Sequence, residues 1–324
     1  MFASLPFAPG GPHGIDPLLL FAAALIVEAI FGGFPVLFRL LPHPRALIER
    51  AVAVLNHKLN REQRSEPTRA WRGVLALALV AGLALAAGLA IGLLARNHPF
   101  GWLVEFPLVV ALIAQRDAFD RTRALAEALD QNLEAARRAL ESFDGKFAGG
   151  SAAALDFPDV AGAGIERLAQ SFAVKVVAPA FGYVLFGAAG LFVVAAVAVM
   201  AQAVGHPTSN EAAGRHRAFG RAAARADAAI NFIPARFAGL FLVLAAPLAR
   251  RARATFMGAL ASMLRDAIRY SRPNLGWPVA AMKGALGLAD GTPPDARDLR
   301  RAVRLYAAAC VLNGAFVVIL ALAR

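Results

Sequence analysis

The stretch GVLALALVAGLALAAGLAIGLLA, residues 73–95, decides the fold: 23 residues without a single charge. At about 1.5 Å of rise per residue, such a helix crosses a hydrocarbon core of about 30 Å with some tilt. Gly82, Ala86 and Gly88 keep the side chains small, which lets a second helix approach closely.

The composition agrees with this start. The chain has 324 residues, is 58% hydrophobic and has a mean hydropathy of +0.56. Soluble domains hold roughly 45–50% apolar residues, so the excess calls for a solvent other than water. A net charge of +12 also suits a nucleic-acid binder. Here, however, the cations lie in loops between apolar runs, where the positive-inside effect places them. Cys310 is the lone cysteine, which excludes a disulfide framework and a thiolate metal site. MFASLPFAPGGPHG, residues 1–14, lacks the basic start of a cleaved signal peptide, so the first apolar segment reads as a retained span.

Working outward, residues 15–41 form that first segment, with Asp16-Pro17 at its entry, Glu28 inside and GGFP at 32–35 interrupting it. Arg39 to Arg72 then carries eight Lys or Arg against three acids and reads as cytoplasmic. Within it, Leu47, Val52, Leu55 and Leu59 recur at helical spacing. Residues 101–114 are a short apolar piece holding Glu105 and Pro107. Residues 115–146 predict a water-exposed amphipathic helix, with Phe119, Leu125, Leu129, Leu133 and Leu140 as its stripe. Residues 176–204 are 29 residues without a charge, read as one long span or as a helical hairpin turning near Gly187–Gly190. Charge favours the hairpin, because a single span would put Arg215, Arg217, Arg221 and Arg225 outside. Residues 237–249 are another short apolar run, residues 250–304 carry eleven cations against four acids, and residues 305–323 are a final uncharged span.

Familiar catalytic motifs are absent: no P-loop, no dinucleotide fingerprint, no HExxH and no nucleophile elbow. The six histidines are scattered, and His43 and His206, each beside proline, read as turn residues. Three stretches carry more chemistry, of which PHPRALIE, 42–49, is the weakest. RAFGRAAARADAAINFIPARF, 217–237, sets Arg225, Asp227, Asn231 and Arg236 beside an apolar entry. It reads either as a basic interfacial helix with snorkelling arginines or as an anion site. RPNLGWPVAAMKGALGL, 272–288, reads as a defined turn before a helix and offers Asn274 and Lys283.

Taken in order, these stretches resemble the membrane family of adenosylcobinamide-phosphate synthases of cobalamin biosynthesis. The matching pieces are Asp16-Pro17, PHP at 42–44 with LNHKLNRE, Arg72-Gly73, VVAPAFGY at 176–183, and VGH at 204–206. RAFGRAAARAD, IPAR at 233–236 and RPNLGWPVAAMKGALGL complete the series. The resemblance implies an amide-forming enzyme that joins an aminopropanol, usually its phosphate, to a propionate of cobyric acid. It implies ATP and Mg²⁺ for activating that carboxylate. Corrinoid, membrane lipid and other corrin-pathway proteins are the partners it implies, nucleic acid is not one, and the location is the inner (plasma) membrane.

The chain departs from the family at particular positions. Gly145-Lys146-Phe147-Ala148 stands where the family shows Gly-Arg-Asp-Thr, and Glu166-Arg167-Leu168-Ala169-Gln170-Ser171 where it shows Glu-Ser-x-Ala-Glu-Asn. A family Lys followed by Asn-Thr-x-Asp-Ser-Met falls on Ala195, Ala198, Val199, Ala201, Gln202 and Ala203. A paired Asp-Asp has become Asp227-Ala228, and a Glu after GWP has become Val279.

The expected fold is therefore all-α, a polytopic integral membrane protein with four to six spans, a single membrane domain over 1–324 and cytoplasmic amphipathic helices around 115–175. Arg225, Asp227, Arg236 and Asn274 are the candidate substrate-binding residues. In that role Arg225 and Arg236 neutralise phosphate or propionate and Asp227 is a surviving metal or amine contact. No catalytic residue and no metal ligand is assigned. Three readings stay open: a divergent amide ligase using ATP and Mg²⁺, an inactive relative acting as a corrinoid-binding, regulatory or complex-forming subunit, and a transporter in which Glu28 and Glu105 line a path.

Overall fold

The computed structural model describes residues 15–33, 42–61, 63–143, 154–205, 210–249, 256–270, 273–289 and 291–323, and among them there is helix and no strand. The helices, in chain order, are α1 Pro17–Phe31, α2 Pro44–Leu59, α3 Glu66–Asn97, α4 Trp102–Leu112, α5 Gln115–Gln131, α6 Leu133–Glu141 and α7 Phe157–Phe172. Then follow α8 Ala178–Met200, α9 Asn210–Ile230, α10 Phe232–Ala245, α11 Phe256–Asp266, α12 Pro273–Leu286 and α13 Ala296–Leu322. Single turns of π-helix, Ala173–Val177 and Ala201–Gly205, precede and follow α8.

Local chemistry sets the boundaries. Asp16 caps α1 by accepting the amides of Leu18 and Leu19 at 2.8 and 3.1 Å, with Pro17 in the first turn where its missing N–H costs nothing. Gly32, at φ 71°, ends it. Asn132 interrupts the stripe expected as one helix over 115–146, because its side chain caps α6 through the Ala135 amide at 2.8 Å. The stripe still packs: Leu125, Leu129 and Leu140 are buried.

The chain divides into two compact units. Met1–Ala114, Ala178–Ile230 and Phe316–Arg324 form one; Gln115–Val177 and Asn231–Ala315 form the other. In the first, α3 packs against α8 and α9, and Phe21 of α1 stacks on Tyr183 at 4.6 Å between ring centres. In the second, α7 packs on α5 and α12, and α10, α11 and α12 pack on one another. There the Tyr306 hydroxyl donates to the Gln115 carbonyl at 2.9 Å.

The 176–204 stretch turns back on itself. Gly187 has φ 60° and ψ −151°, a backbone that only glycine adopts freely. Residues eight apart in a straight helix lie about 12 Å apart. Yet a Cβ on Gly182 would sit 2.9 Å from the Gly190 carbonyl oxygen, so the two arms of α8 run side by side. The hairpin that charge favoured is the observed one.

Among the described residues three helical segments are long and apolar enough to cross a membrane: Glu66–Asn97, Phe157–Gly205 and Ala296–Leu322. A fourth is counted if α9 and α10 together make one bent span. Phe157–Gly205 is no single 49-residue rod, since it reverses at Gly187. As described, α1 with 15 residues and α4 with 11 are shorter than the roughly 20 a span needs. Residues 34–41, the remainder of the first apolar segment, lie outside the described residues, as do Gly145–Ala148 and His206. The turn expected at 272–278 is helix from Pro273 onward. Pro278 forfeits one backbone bond, and the flat Gly276 lets α12 lie against the Ala267 carbonyl, 2.0 Å from where a Cβ would stand.

Candidate functional site

In the first unit, the polar groups gather where α2 begins. His43 caps this helix, its Nδ1 accepting the Arg45 amide at 3.2 Å. Burial first, and then the Arg45 charge, pull the His43 imidazole below its ordinary value, against the opposing pull of Glu49. The Arg45 side chain donates to Glu49 at 3.1 Å and to Gln202 at 2.8 Å. Gln202 is one of the positions where the resemblance sets a polar residue. The neighbours of Gln202 on α8 do not follow suit: Val199 is 6% exposed and Ala201 1%, both part of the packed core.

Against this tail lies α9, at backbone contact. A Cβ on Gly220 would stand 1.7 Å from the Val204 carbonyl oxygen, so nothing larger than hydrogen fits. Ala218, Phe219 and Ala223 are buried on the same side, while Arg217, Arg221 and Arg225 are exposed. A spacing of four residues sets these three arginines on one helix face. Asp227, one half-turn further, is half-buried.

The second unit brings together motifs that are far apart in sequence. Arg236 of IPAR lies over the Phe232 ring at 3.7 Å and over the Trp277 ring at 4.8 Å, and also donates to the Phe232 carbonyl. Trp277 stands three residues after Asn274, which is half-buried in the first turn of α12. So the helices carrying Arg236 and Asn274 meet through this cation between two rings. Two aromatic faces fix the guanidinium plane and leave its N–H edge for a carboxylate or phosphate.

On the same helix, Lys283 reaches Glu166 of α7 at 2.6 Å and lies 5.5 Å from the Tyr270 ring centre. Burial alone would pull the Lys283 ammonium down. The hydrogen bond and charge of Glu166, with Tyr270 adding, outweigh it and hold the ammonium above the usual lysine range. Nearby, the Ser262 hydroxyl lies within hydrogen-bond reach of the Ala280 carbonyl at 3.0 Å and of Asp266 at 3.2 Å, its one proton serving either acceptor. Arg265, hydrogen-bonded to Asp266, holds that carboxyl below the ordinary range, with Arg269 adding.

Arg225 and Asp227 thus belong to the first unit, Arg236 and Asn274 to the second. Sequence reading missed three pairings: Arg45–Gln202, Lys283–Glu166 and Tyr183–Glu105, the last at 2.7 Å. No periodic signal could have revealed them, because 157, 117 and 78 residues separate the partners. Mg²⁺ asks for several hard oxygen ligands. Among the described residues no three His, Cys, Asp or Glu side chains stand together as a metal site built from protein alone.

Comparison with known proteins places these motifs in a family. A cobalamin biosynthesis protein CobD of a Sinorhizobium species is 35% identical over 273 residues, covering 84% of this chain and 81% of its own. The CobD of Brucella suis is 34% identical over 278 residues, covering 85% and 82%. That of Rhodobacter capsulatus is 34% identical over 313 residues, covering 88% and 93%. No solved structure matches. The family model described as CobD/Cbib protein matches residues 21–295, and with most of its length so covered, the chain belongs to the CobD/Cbib family.

Proposed function

We propose that this chain serves cobalamin biosynthesis as a corrinoid-binding, complex-forming subunit of the inner membrane that does not itself form the amide bond. The observation that carries this reading is the sealed seam between the tail of α8 and α9. Positions 195, 198, 199 and 201, where the resemblance sets polar groups, hold Ala and Val. Ala201 and Val204 are each 1% exposed, and Gly220 presses on the Val204 carbonyl. Around Ala201 and Val204 the packing leaves no room for a carboxylate with its water or metal. Joining an amine to a carboxylate needs activation and a proton acceptor, and the polar side chains for either are gone from this helix face.

Anion recognition survives better than catalysis. Arg236, held flat between Phe232 and Trp277, is suited to a propionate or phosphate. Asn274 on α12, in the same unit, is the further contact we assign to this ligand. The multi-pass arrangement we propose keeps the basic stretches 39–72 and 250–304 on the cytoplasmic side, with lipid around the spans and other corrin-pathway proteins as partners.

A second reading, an active ligase using ATP and Mg²⁺, is favoured by the survival of Glu166 in its family position, although Lys283 already engages it. The binding reading is tested by titrating purified protein in detergent with cobyric acid and following the corrinoid absorption. Arg236→Ala is expected to weaken binding at least tenfold, while Arg236→Lys recovers part of it. Unchanged binding in Arg236→Ala removes the assignment.

A further inference from the structure

The end of the first unit farthest from its basic loop carries a polar hole in an apolar surface. From Arg72 to Ala95, α3 climbs about 35 Å at 1.5 Å per residue, so the two ends of this helix lie a bilayer core apart. At the far end a cleft is lined by Pro17, Arg96, Trp102, Glu105, Tyr183 and Gly187, among others. Its free space is about 30 Å³, the room of one or two water molecules.

A carboxylate is among the groups bordering it. Glu105 is 6% exposed and accepts a hydrogen bond from Tyr183 at 2.7 Å. Among the described residues no other hydrogen bond reaches that carboxylate. Tyr183 is itself fixed by stacking on Phe21, so the acceptor is held in place. Around the cleft the surface is apolar: Leu93 is 56% exposed, Leu103 53%, Leu185 51% and Phe186 64%. An acid set in such a surface calls for a cation, and an intramembrane acid is a functional position by default. The apolar surround points to a ligand that arrives through lipid rather than through water.

The geometry points to a site for the headgroup of a primary-amine phospholipid, its ammonium on Glu105 beside Trp102 and Tyr183 and its phosphate on Arg96. A primary ammonium is about as large as a water molecule, donates three hydrogen bonds and suits an aromatic wall. A trimethylammonium is too bulky for the cleft and has no N–H to give. The same ammonium-and-phosphate chemistry also exists in soluble amino-alcohol phosphates, so the test must tell the two sources apart.

The full chain is purified in detergent and the lipid it retains is weighed by native mass spectrometry. Equal amounts of phosphatidylethanolamine and phosphatidylcholine with the same acyl chains are offered. At least fivefold preference for phosphatidylethanolamine is expected, falling to near unity in Glu105→Gln, which keeps the Tyr183 bond, and weakening in Arg96→Gln. Tyr183→Phe, which frees the carboxylate without removing it, is expected to lie between. All variants must elute as the wild type does. Displacement of the retained lipid by millimolar phosphoethanolamine assigns the site to the soluble zwitterion, and resistance to it assigns the site to lipid. Equal retention of the two lipids by wild type, or an unchanged preference in well-folded Glu105→Gln, overturns the proposal.

Discussion

The tail of α8 against α9 and the meeting of α7, α10 and α12 are both built from family motifs, yet they have diverged in opposite directions. The first has become alanine and valine at backbone contact. The second has kept its cations, each with a partner: Arg236 between two rings, Lys283 on Glu166, Arg265 and Arg269 on Asp266. Ion pairs that satisfy one another can persist for the fold alone. A lone carboxylate in a helix seam persists only if a task needs it, because burying it unpaired costs several kcal/mol.

The sharpest way to break the contrast is to put the acid back. Ala201→Asp is expected to destabilise the protein by about 3 kcal/mol or more, seen as loss of the monodisperse peak after mild heating. A well-tolerated aspartate would mean that the seam has space and polar company, and the two regions would cease to differ. Next comes Gly220→Val, whose side chain must displace the Val204 backbone. We expect a loss of about 2–3 kcal/mol by the same readout, with nothing comparable from Gly82→Ala, which meets open space.

Effects in the second region should be smaller. Glu166 and Lys283 are 35% and 27% exposed, so solvent screens their pair. Glu166→Gln is expected to cost about 1 kcal/mol. Because the ammonium of Lys283 is raised in the fold, its contribution is complete below the ordinary lysine value near 10.4 and fades as pH climbs through the folded value. On the alkaline side, the stability gap between wild type and Glu166→Gln should therefore stay constant from neutrality upward and close in strong alkali. A gap that closes near pH 7 would contradict the pair as described.

The smallest effect is the α2 cap. His43 is lowered in the fold, so its neutral form is preferred and stability falls as pH drops below about 6.5. The protonated ring cannot accept the Arg45 amide. His43→Asn should cap about as well and remove that pH dependence, a difference of about 0.5–1 kcal/mol between pH 7.5 and 5.

Much of the fold was legible in the sequence for physical reasons. Uncharged runs gave the long helices, Asp16-Pro17 marked a helix start, and the positive-inside effect favoured the hairpin that Gly187 makes. Span count was less legible, because a short apolar run looks alike whether it crosses a bilayer or fills a core. RPNLGWP read as a turn, yet packing of α12 on α11 overrode proline and glycine. At the candidate site, Arg236 was legible by residue type. Trp277, Gln202 and Glu166 were not, since pairing across more than 40 residues leaves no periodic trace.

One measurement tests the central claim most directly. Purified protein in detergent is given adenosylcobyric acid, aminopropanol phosphate, ATP and Mg²⁺, and the corrinoids are read by mass beside an intact family member treated identically. Our account predicts the amide mass from the intact member and none from this chain. The amide mass from both would contradict it, and would mean that groups outside the α8 seam carry the reaction.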